Sequence, residues 1–549
     1  MIDRLALLAD LRPVLAVLED EIGARVETTP PLVEHLEAEY AKAVTAKRTA
    51  MAFPEWREGE ITQAAVAWVL ACVFVRFLED NELIDAPLLS GPGDRRIAAL
   101  GHREEYFRSF PALSDREFLE QVFREVASHP PVAPLFDEDH NPLWILGPQA
   151  DGATALLTFW SRIDPDSGAL VHDFTDPQLG TRFLGDLYQD LSDAAKKRYA
   201  LLQTPIFVEE FILDRTLDPA IAEFGLERVR MIDPTCGSGH FLIGSFERLF
   251  EHWQRREPGT TTMVLAQRAL DAVHGVDLNP YATAIARFRL LIAALRVCEI
   301  GRLAEAPAFK LNLATGDSLL HGPRTGRLFG GEAVHDASIA HVFEAEDAPE
   351  LQRIFGQGYH VVVGNPPYIA VSDSALRDAY REHYESCHGK YVLTVPFMER
   401  FFELARPEAP DGLSELAGFV GKITGNNFMK REFGVRLVQR FLPSVDLQTV
   451  IDASGAYIPG HGTPTVLLFG RSRAPVSSTL RVLDGIRGEP RPPGDPARGE
   501  VWSSIVRLVD APGEQDQFMR SSDIARLELL THPMTLGIGR ELRRRLERE

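Results

Sequence analysis

Val229-Arg230-Met231-Ile232-Asp233-Pro234-Thr235-Cys236-Gly237-Ser238-Gly239-His240-Phe241-Leu242 reads as a strand, a tight turn and the start of a helix. The strand candidate is Val229 to Asp233. Phe241, Leu242, Ser245, Leu249 and Phe250 then recur at helical spacing. Glycine at 237 and 239 lets the turn adopt positive φ and lets a ligand approach the backbone. The unpaired amides of a helix N-terminus suit a carboxylate or phosphate. A Gly-x-Gly turn is shared by many nucleotide sites, and the missing Lys-Ser/Thr pair excludes a P-loop.

Further strand candidates follow at His274–Asp277, Lys310–Gly316, His360–Gly364, Gly418–Thr424, Leu447–Ala453 and Thr463–Phe469. Helical stretches separate the earlier ones. The pattern predicts an α/β fold with a Rossmann-like, mainly parallel, doubly wound sheet of seven strands. Ligands bind such sheets at the carboxyl ends of the strands. Asp277 ends the second strand, with Leu278 after it, and can accept from ribose hydroxyls. Its distance from Asp233 exceeds the roughly 20 residues usual for this pairing, so the intervening helical segment is extended. Asp317-Ser318 follows the third strand, where a carboxylate or neighbouring amide reads the adenine edge of a nucleoside.

The fourth strand runs into Asn365-Pro366-Pro367-Tyr368. The prolines restrict the backbone and carry no amide donor. The Asn365 side-chain oxygen and the Pro366 carbonyl are left as acceptors, a match for the two N–H groups of an exocyclic amine. Tyr368 offers a face on which a planar base stacks. These residues fit methyl transfer from a sulfonium to an amine by in-line displacement, where positioning and electrostatics do most of the catalysis. Cys236 and Cys387 are not needed as nucleophiles.

The chain has 549 residues, 45% hydrophobic and 25% charged, with a net charge of −21 and a pI near 5.3. This is a globular composition. It is too acidic for a general nucleic-acid coat, so any phosphate contact needs a local basic surface. Lys422, Lys430, Arg431, Arg436 and Arg440, against the single acid Glu432, form the candidate DNA-contact segment. Tyr457 is a further candidate, against a flipped base. Four dispersed cysteines, no HExxH-like histidine spacing and no signal peptide fit a cytoplasmic protein without disulfides or a metal. The longest apolar run, Ala64 to Val75, falls short of the roughly 20 residues that span a bilayer and reads as a buried helix.

Residues 1–195 read as a mostly helical N-terminal domain without a catalytic motif. Leu5, Leu8, Leu11, Leu15, Leu18 and Ile22 line its first helix, and Glu60-Ile61-Thr62 opens the second strong one. A partner-docking or DNA-facing role is expected there. Residues 196–475 form the catalytic domain. Residues 476–549, rich in Pro, Gly and Arg around Arg487–Gly494, read as a linker and C-terminal extension that begins a target-recognition region and ends in a helix-prone stretch, Gly539–Glu549.

From about residue 200 to 475 the sequence resembles the amino-methylating DNA methyltransferases. The resemblance implies S-adenosylmethionine as cofactor. Gln203-Thr204-Pro205 looks like the segment that contacts its methionine part, with Thr204 and Pro205 as binding residues. Asp233, Thr235, Gly237 and Gly239 look like the methionine-binding loop, Asp277 and Leu278 like the ribose site, and Asp317 and Ser318 like the adenine site. Asn at 365 is the form typical of N6-adenine enzymes. The order of motifs resembles the gamma arrangement, with Gly421–Phe428 and Gly460-His461-Gly462-Thr463-Pro464-Thr465 as its later motifs. The whole layout also resembles the BREX type 2, or phage growth limitation, adenine methyltransferases, which implies that much of the C-terminal portion is missing here. The expected activity is site-specific methylation of a flipped adenine in double-stranded DNA, in restriction-modification or phage defence with protein partners. The alternatives are an RNA or protein-glutamine methyltransferase, and a defence-complex DNA-binding subunit active only with partners.

Overall fold

Asp3 caps the first helix, accepting from the amides of Leu5 and Ala6 at 3.0 Å each. This helix, α1 (Arg4–Thr28), runs through Pro13 and buries Leu7, Leu11, Leu15, Leu18, Ile22 and Val26. The expected stripe is thus corrected at its start: Leu5 is exposed and Leu7 carries the contact. Thr29 with Pro30 and Pro31 turns the chain into α2 (Pro30–Thr45). The next helix, α3 (Phe53–Asp80), begins ahead of Glu60 because Pro54 suits a first helical turn. By length and composition α3 could cross a membrane, but 89% of its most apolar window is buried inside the protein. Arg76, wholly buried near its end, donates to Asp80 at 2.8 Å and to the Trp160 carbonyl at 2.6 Å. This computed structural model describes residues 2–191, 203–322, 341–409, 416–460 and 462–537. His461 and Gly539–Glu549 lie outside the described residues.

Behind these helices lies one sheet, in the order β3-β2-β1-β4-β5-β7-β6-β8-β9. Its strands are β1 (Met231–Asp233), β2 (Val273–Asp277), β3 (Asn312–Thr315), β4 (Val361–Gly364), β5 (Phe419–Gly425), β6 (Asp446–Asp452), β7 (Thr465–Arg471), β8 (Thr479–Gly485) and β9 (Met519–Ala525). From β3 to β5 every pairing is parallel; β7 inserts antiparallel between β5 and β6. Met231, Val361 and Val363 pack into one core layer, and Ile232, Val362 and Val276 into the other. Burial on both faces explains the apolar runs Met231-Ile232 in β1 and Val361-Val362-Val363 in β4.

The seven expected strands are all present, but among the described residues the sheet has nine, which corrects the seven-stranded expectation. The added pair comes from the segment read as linker. β8 runs parallel to β6, and β9 pairs antiparallel with β8. Local Pro and Gly signals masked them, because Thr479–Gly485 becomes a strand only through its partners. From the same segment, Trp502 packs on Phe207 and Phe211 at ring distances of 4.7 and 5.3 Å.

The chain reverses direction across the sheet between β1 and β4. β2 and β3 lie to one side of β1, and β4 onwards to the other. The crevice beyond the carboxyl ends of β1 and β4 is where an open α/β sheet binds its ligand. Both sequence motifs end there.

Candidate active site

β1 ends at Asp233, buried, whose Oδ1 accepts from the Thr235 amide at 2.9 Å and from the Thr235 hydroxyl at 3.1 Å. Burial, with Asp277 nearby, pushes its carboxyl up to about 8. Gly237 and Gly239 follow at φ +52 and +86, so the turn needs glycine at both. Gly239 also packs closely: a Cβ there would stand 3.1 Å from Ala286 Cβ. It caps α6 (His240–Arg256), the helix facing the crevice. Ahead of it in the chain lie α4 (Arg182–Asp190) and α5 (Ile206–Asp214).

The Asp277 carboxylate, at the end of β2, braces this loop. It accepts from the Gly237 amide at 2.9 Å and from the Asn279 amide at 2.9 Å. Burial raises its carboxyl to about 6. Leu278 beside it is 42% exposed, an apolar side chain left facing open space. Beyond β3, Asp317 is buried and accepts from the Leu319 amide at 2.8 Å and from the Tyr380 hydroxyl at 2.6 Å. The Ser318 hydroxyl donates to the Pro234 carbonyl at 2.6 Å, so it ties the β3 loop to the β1 loop. Thr204 is buried, and Pro205 sets the start of α5. Next to it, Gln203 Nε2 is a buried amide with no acceptor among the described residues. A Cβ on Gly185 of α4 would touch Gln203 Nε2, Ser238 Oγ and His240, so these three meet at the start of α6.

The Asn365-Pro366-Pro367-Tyr368 turn leaves β4 directly beside the β1 loop. Gly364 makes this possible: a Cβ there would stand 2.5 Å from Asp233 Oδ1, 2.9 Å from Thr235 Oγ1 and 3.0 Å from Phe401. The Tyr368 hydroxyl donates to Asn365 Oδ1 at 2.6 Å. This bond fixes which way the Asn365 amide faces. The Tyr368 ring packs on Gly425 of β5, where a Cβ would come within 3.3 Å of it. Sequence reasoning gave Tyr368 a stacking face only and missed this orienting hydroxyl. It missed Gly364 as well, although a small residue between a strand and a proline turn was visible.

The candidate DNA segment divides. Lys430, Arg431 and Arg440 are exposed, and Arg436 is half-buried. Tyr457 is exposed, at 41%. Lys422 does not join them. It is wholly buried in β5, in register with Gly364, with its Nζ 4.6 Å above the Phe401 ring and no hydrogen-bond partner among the described residues. Burial pushes its ammonium down to about 7. A group inside the sheet cannot neutralise a phosphate, so Lys422 leaves the DNA-contact set. Cys236 is buried, and burial pushes its thiol far above the usual range. Among the described residues no group of three or more His, Cys, Asp or Glu side chains is placed to hold a metal ion.

Residues 271–458 match the family of Eco57I restriction-modification methylases. Along 98% of its length the chain is 47% identical to the adenine-specific methyltransferase PglX of Streptomyces coelicolor. It covers 46% of that protein. The type II methyltransferase M.PaeR7I of Pseudomonas aeruginosa is 23% identical over 59% of the chain and 51% of its own length. The chain thus spans about half the length of these two relatives. Among solved structures, the type I restriction-modification methyltransferase subunit of Streptococcus thermophilus matches 98% of this chain and 99% of its own, with TM-score 0.44 and 16% identity.

Proposed function

We propose that this chain transfers a methyl group from S-adenosylmethionine to the N6 amino group of an adenine flipped out of double-stranded DNA, within a restriction-modification or phage-defence system. The contact of Asp233 and Thr235 with Gly364 carries the reading, since it abuts the cofactor loop and Asn365 across the strand-order reversal. A donor with a carboxylate, a ribose diol and a purine finds groups of the right kind in sequence around the crevice. The Gln203 amide and the α6 N-terminus suit the carboxylate. Asp277 suits the diol, and Leu278 with Asp317 the purine. When bound, the cofactor supplies an electrophilic methyl on a sulfonium.

The chain's own contribution is placement. Asn365 Oδ1 and the Pro366 carbonyl accept from the two amine hydrogens and turn the nitrogen lone pair out of the ring plane. Tyr368 orients the Asn365 amide and offers its ring to the base. The exposed cations Lys430, Arg431 and Arg440, with Arg436, provide phosphate contacts on an acidic body, and exposed Tyr457 lies near enough in sequence to β6 to meet the displaced base.

The test is incubation with isotope-labelled S-adenosylmethionine and, separately, duplex DNA, structured RNA and a glutamine-bearing peptide, followed by mass spectrometry of the digests. N6-methyladenine from DNA is expected, lost in Asn365→Ala while S-adenosylhomocysteine still binds. Methylation of RNA or peptide alone overturns the DNA reading. Cofactor and DNA binding without turnover, restored by other components of the system, points instead to a subunit active only with partners.

A further inference from the structure

A cleft of about 180 Å3 opens between the N-terminal helices and the ends of β2 and β3. This is far more than the roughly 10–15 Å3 that admits one water. Met51, Trp56 and Ala64 line one side, and Leu278, Pro280 and Asp317 the other. Leu278 is the residue that exposes its apolar side chain next to the candidate ribose acid.

The near side is wired to the far side. Arg48, Thr49 and Ala50 join α2 to α3, and Arg48 and Thr49 are buried. Arg48 pairs with buried Glu346 at 3.0 Å, and Glu346 Oε1 accepts from the Asp317 amide at 3.3 Å. The second route runs through Asp373. It accepts from the Thr49 hydroxyl at 2.7 Å and the Ala50 amide at 3.0 Å, and also caps α8 (Ser374–His383). On the far side of the cleft, Pro280 opens α7 (Pro280–Val297). From α8, Tyr380 reaches the Asp317 carboxylate. Two buried polar chains therefore fix the α2–α3 loop to the residue read as the purine contact. A third contact lies at the other end of the crevice, where Gly185 of α4 lets that helix sit against Ser238 and His240.

We propose that the N-terminal helices form the outer wall of the cofactor's purine pocket, with the adenine ring held between Met51, Trp56 and Ala64 on one side and Leu278 and Pro280 on the other. This rests on the methyltransferase reading. The helical unit is then part of the cofactor site, besides any docking role. Its lining suits a flat apolar face: a flexible thioether and an aromatic edge opposite Leu278.

The test photolabels the full chain with the 8-azido analogue of S-adenosylhomocysteine and maps the peptides. Label within residues 48–64, removed by competing S-adenosylhomocysteine, is expected. Competed label confined to residues 277–281 and 365–393 overturns the wall but leaves the methyltransferase reading standing. Absence of any competed label overturns both. As a second measurement, Met51→Trp fills the cleft. It is expected to weaken S-adenosylhomocysteine and adenosine binding at least tenfold while the unliganded chain melts as the wild type does. Unchanged affinity in that folded variant overturns the proposal. Should the variant not fold, the labelling of the wild-type chain decides.

Discussion

Gly364→Ala adds one methyl group at the junction of the two motifs. The added Cβ falls 2.5 Å from Asp233 Oδ1, about 0.9 Å inside the 3.4 Å of ordinary contact. Gly364 is not among the positive-φ glycines, so the backbone accepts alanine and the whole effect is steric. Asp233 cannot yield freely, because its Oδ1 holds the Thr235 amide and hydroxyl, and Phe401 blocks the other side. Overpacking of this kind costs about 1–3 kcal/mol. Either the strand pair gives, lowering stability by that amount, or the β1 loop shifts. In the second case affinity for S-adenosylhomocysteine drops by roughly 5- to 150-fold, at about 1.4 kcal/mol per tenfold. Urea unfolding, calorimetric titration and single-turnover methylation separate the two. Gly237→Ala is the contrasting variant: its Cβ meets nothing within 4 Å, but φ is +52, so its cost of about 1–2 kcal/mol is conformational. A Gly364→Ala protein with wild-type unfolding, wild-type affinity and wild-type rate would refute the claimed contact between loop and motif.

Tyr368→Phe keeps the ring and removes the hydroxyl that orients Asn365. A single-turnover rate about 2- to 10-fold lower, with cofactor affinity unchanged, is expected from a net hydrogen bond of about 0.5–1.5 kcal/mol; an unchanged rate would count against the orienting role. Asp277 titrates at about 6 in the folded chain, so its carboxylate is lost as pH falls through 6, and S-adenosylhomocysteine affinity should fall with it. Stability of the unliganded chain moves the opposite way. The folded pKa lies above the ordinary aspartate value of 3.8, so stability is gained as pH falls from about 6 towards 4. Asp277→Asn should bind weakly and show no affinity inflection near pH 6 in titration calorimetry. Lys422→Met should stabilise the chain towards urea at pH 7. The unfolded lysine takes its proton below 10.5 and the folded one only below about 7, so the gain is largest at pH 7 and below, shrinks as pH rises above about 7 and is gone above about 10.5. The salt dependence of DNA binding should stay unchanged in Lys422→Met and become shallower by about one charge in Arg431→Gln.

Much of the site was readable because its signals are local. A strand ending in an acid, glycines at two turn positions and an Asn-Pro-Pro-Tyr turn each declare a backbone shape and a set of acceptors within a few residues. Short β-rich runs separated by helical stretches and turn residues mark strands, so β1 to β7 could be placed along the chain. The sequence therefore determined where the crevice residues lie along the chain, while the sheet made the strands that end in loop and motif neighbours. Tertiary structure decided what only long-range register creates. It put Lys422 opposite Gly364 inside the sheet, where five cations in one segment had suggested a surface. It drew Thr479–Gly485 into strand β8 through β6 and β9. It also brought Arg48 and Thr49, over 290 residues distant, to Glu346 and Asp373 behind Asp317. Periodicity carries the pitch of an element and the face it buries. It carries no information about which partner meets that face, and partner contacts set the burial of Lys422 and the closure of the cleft.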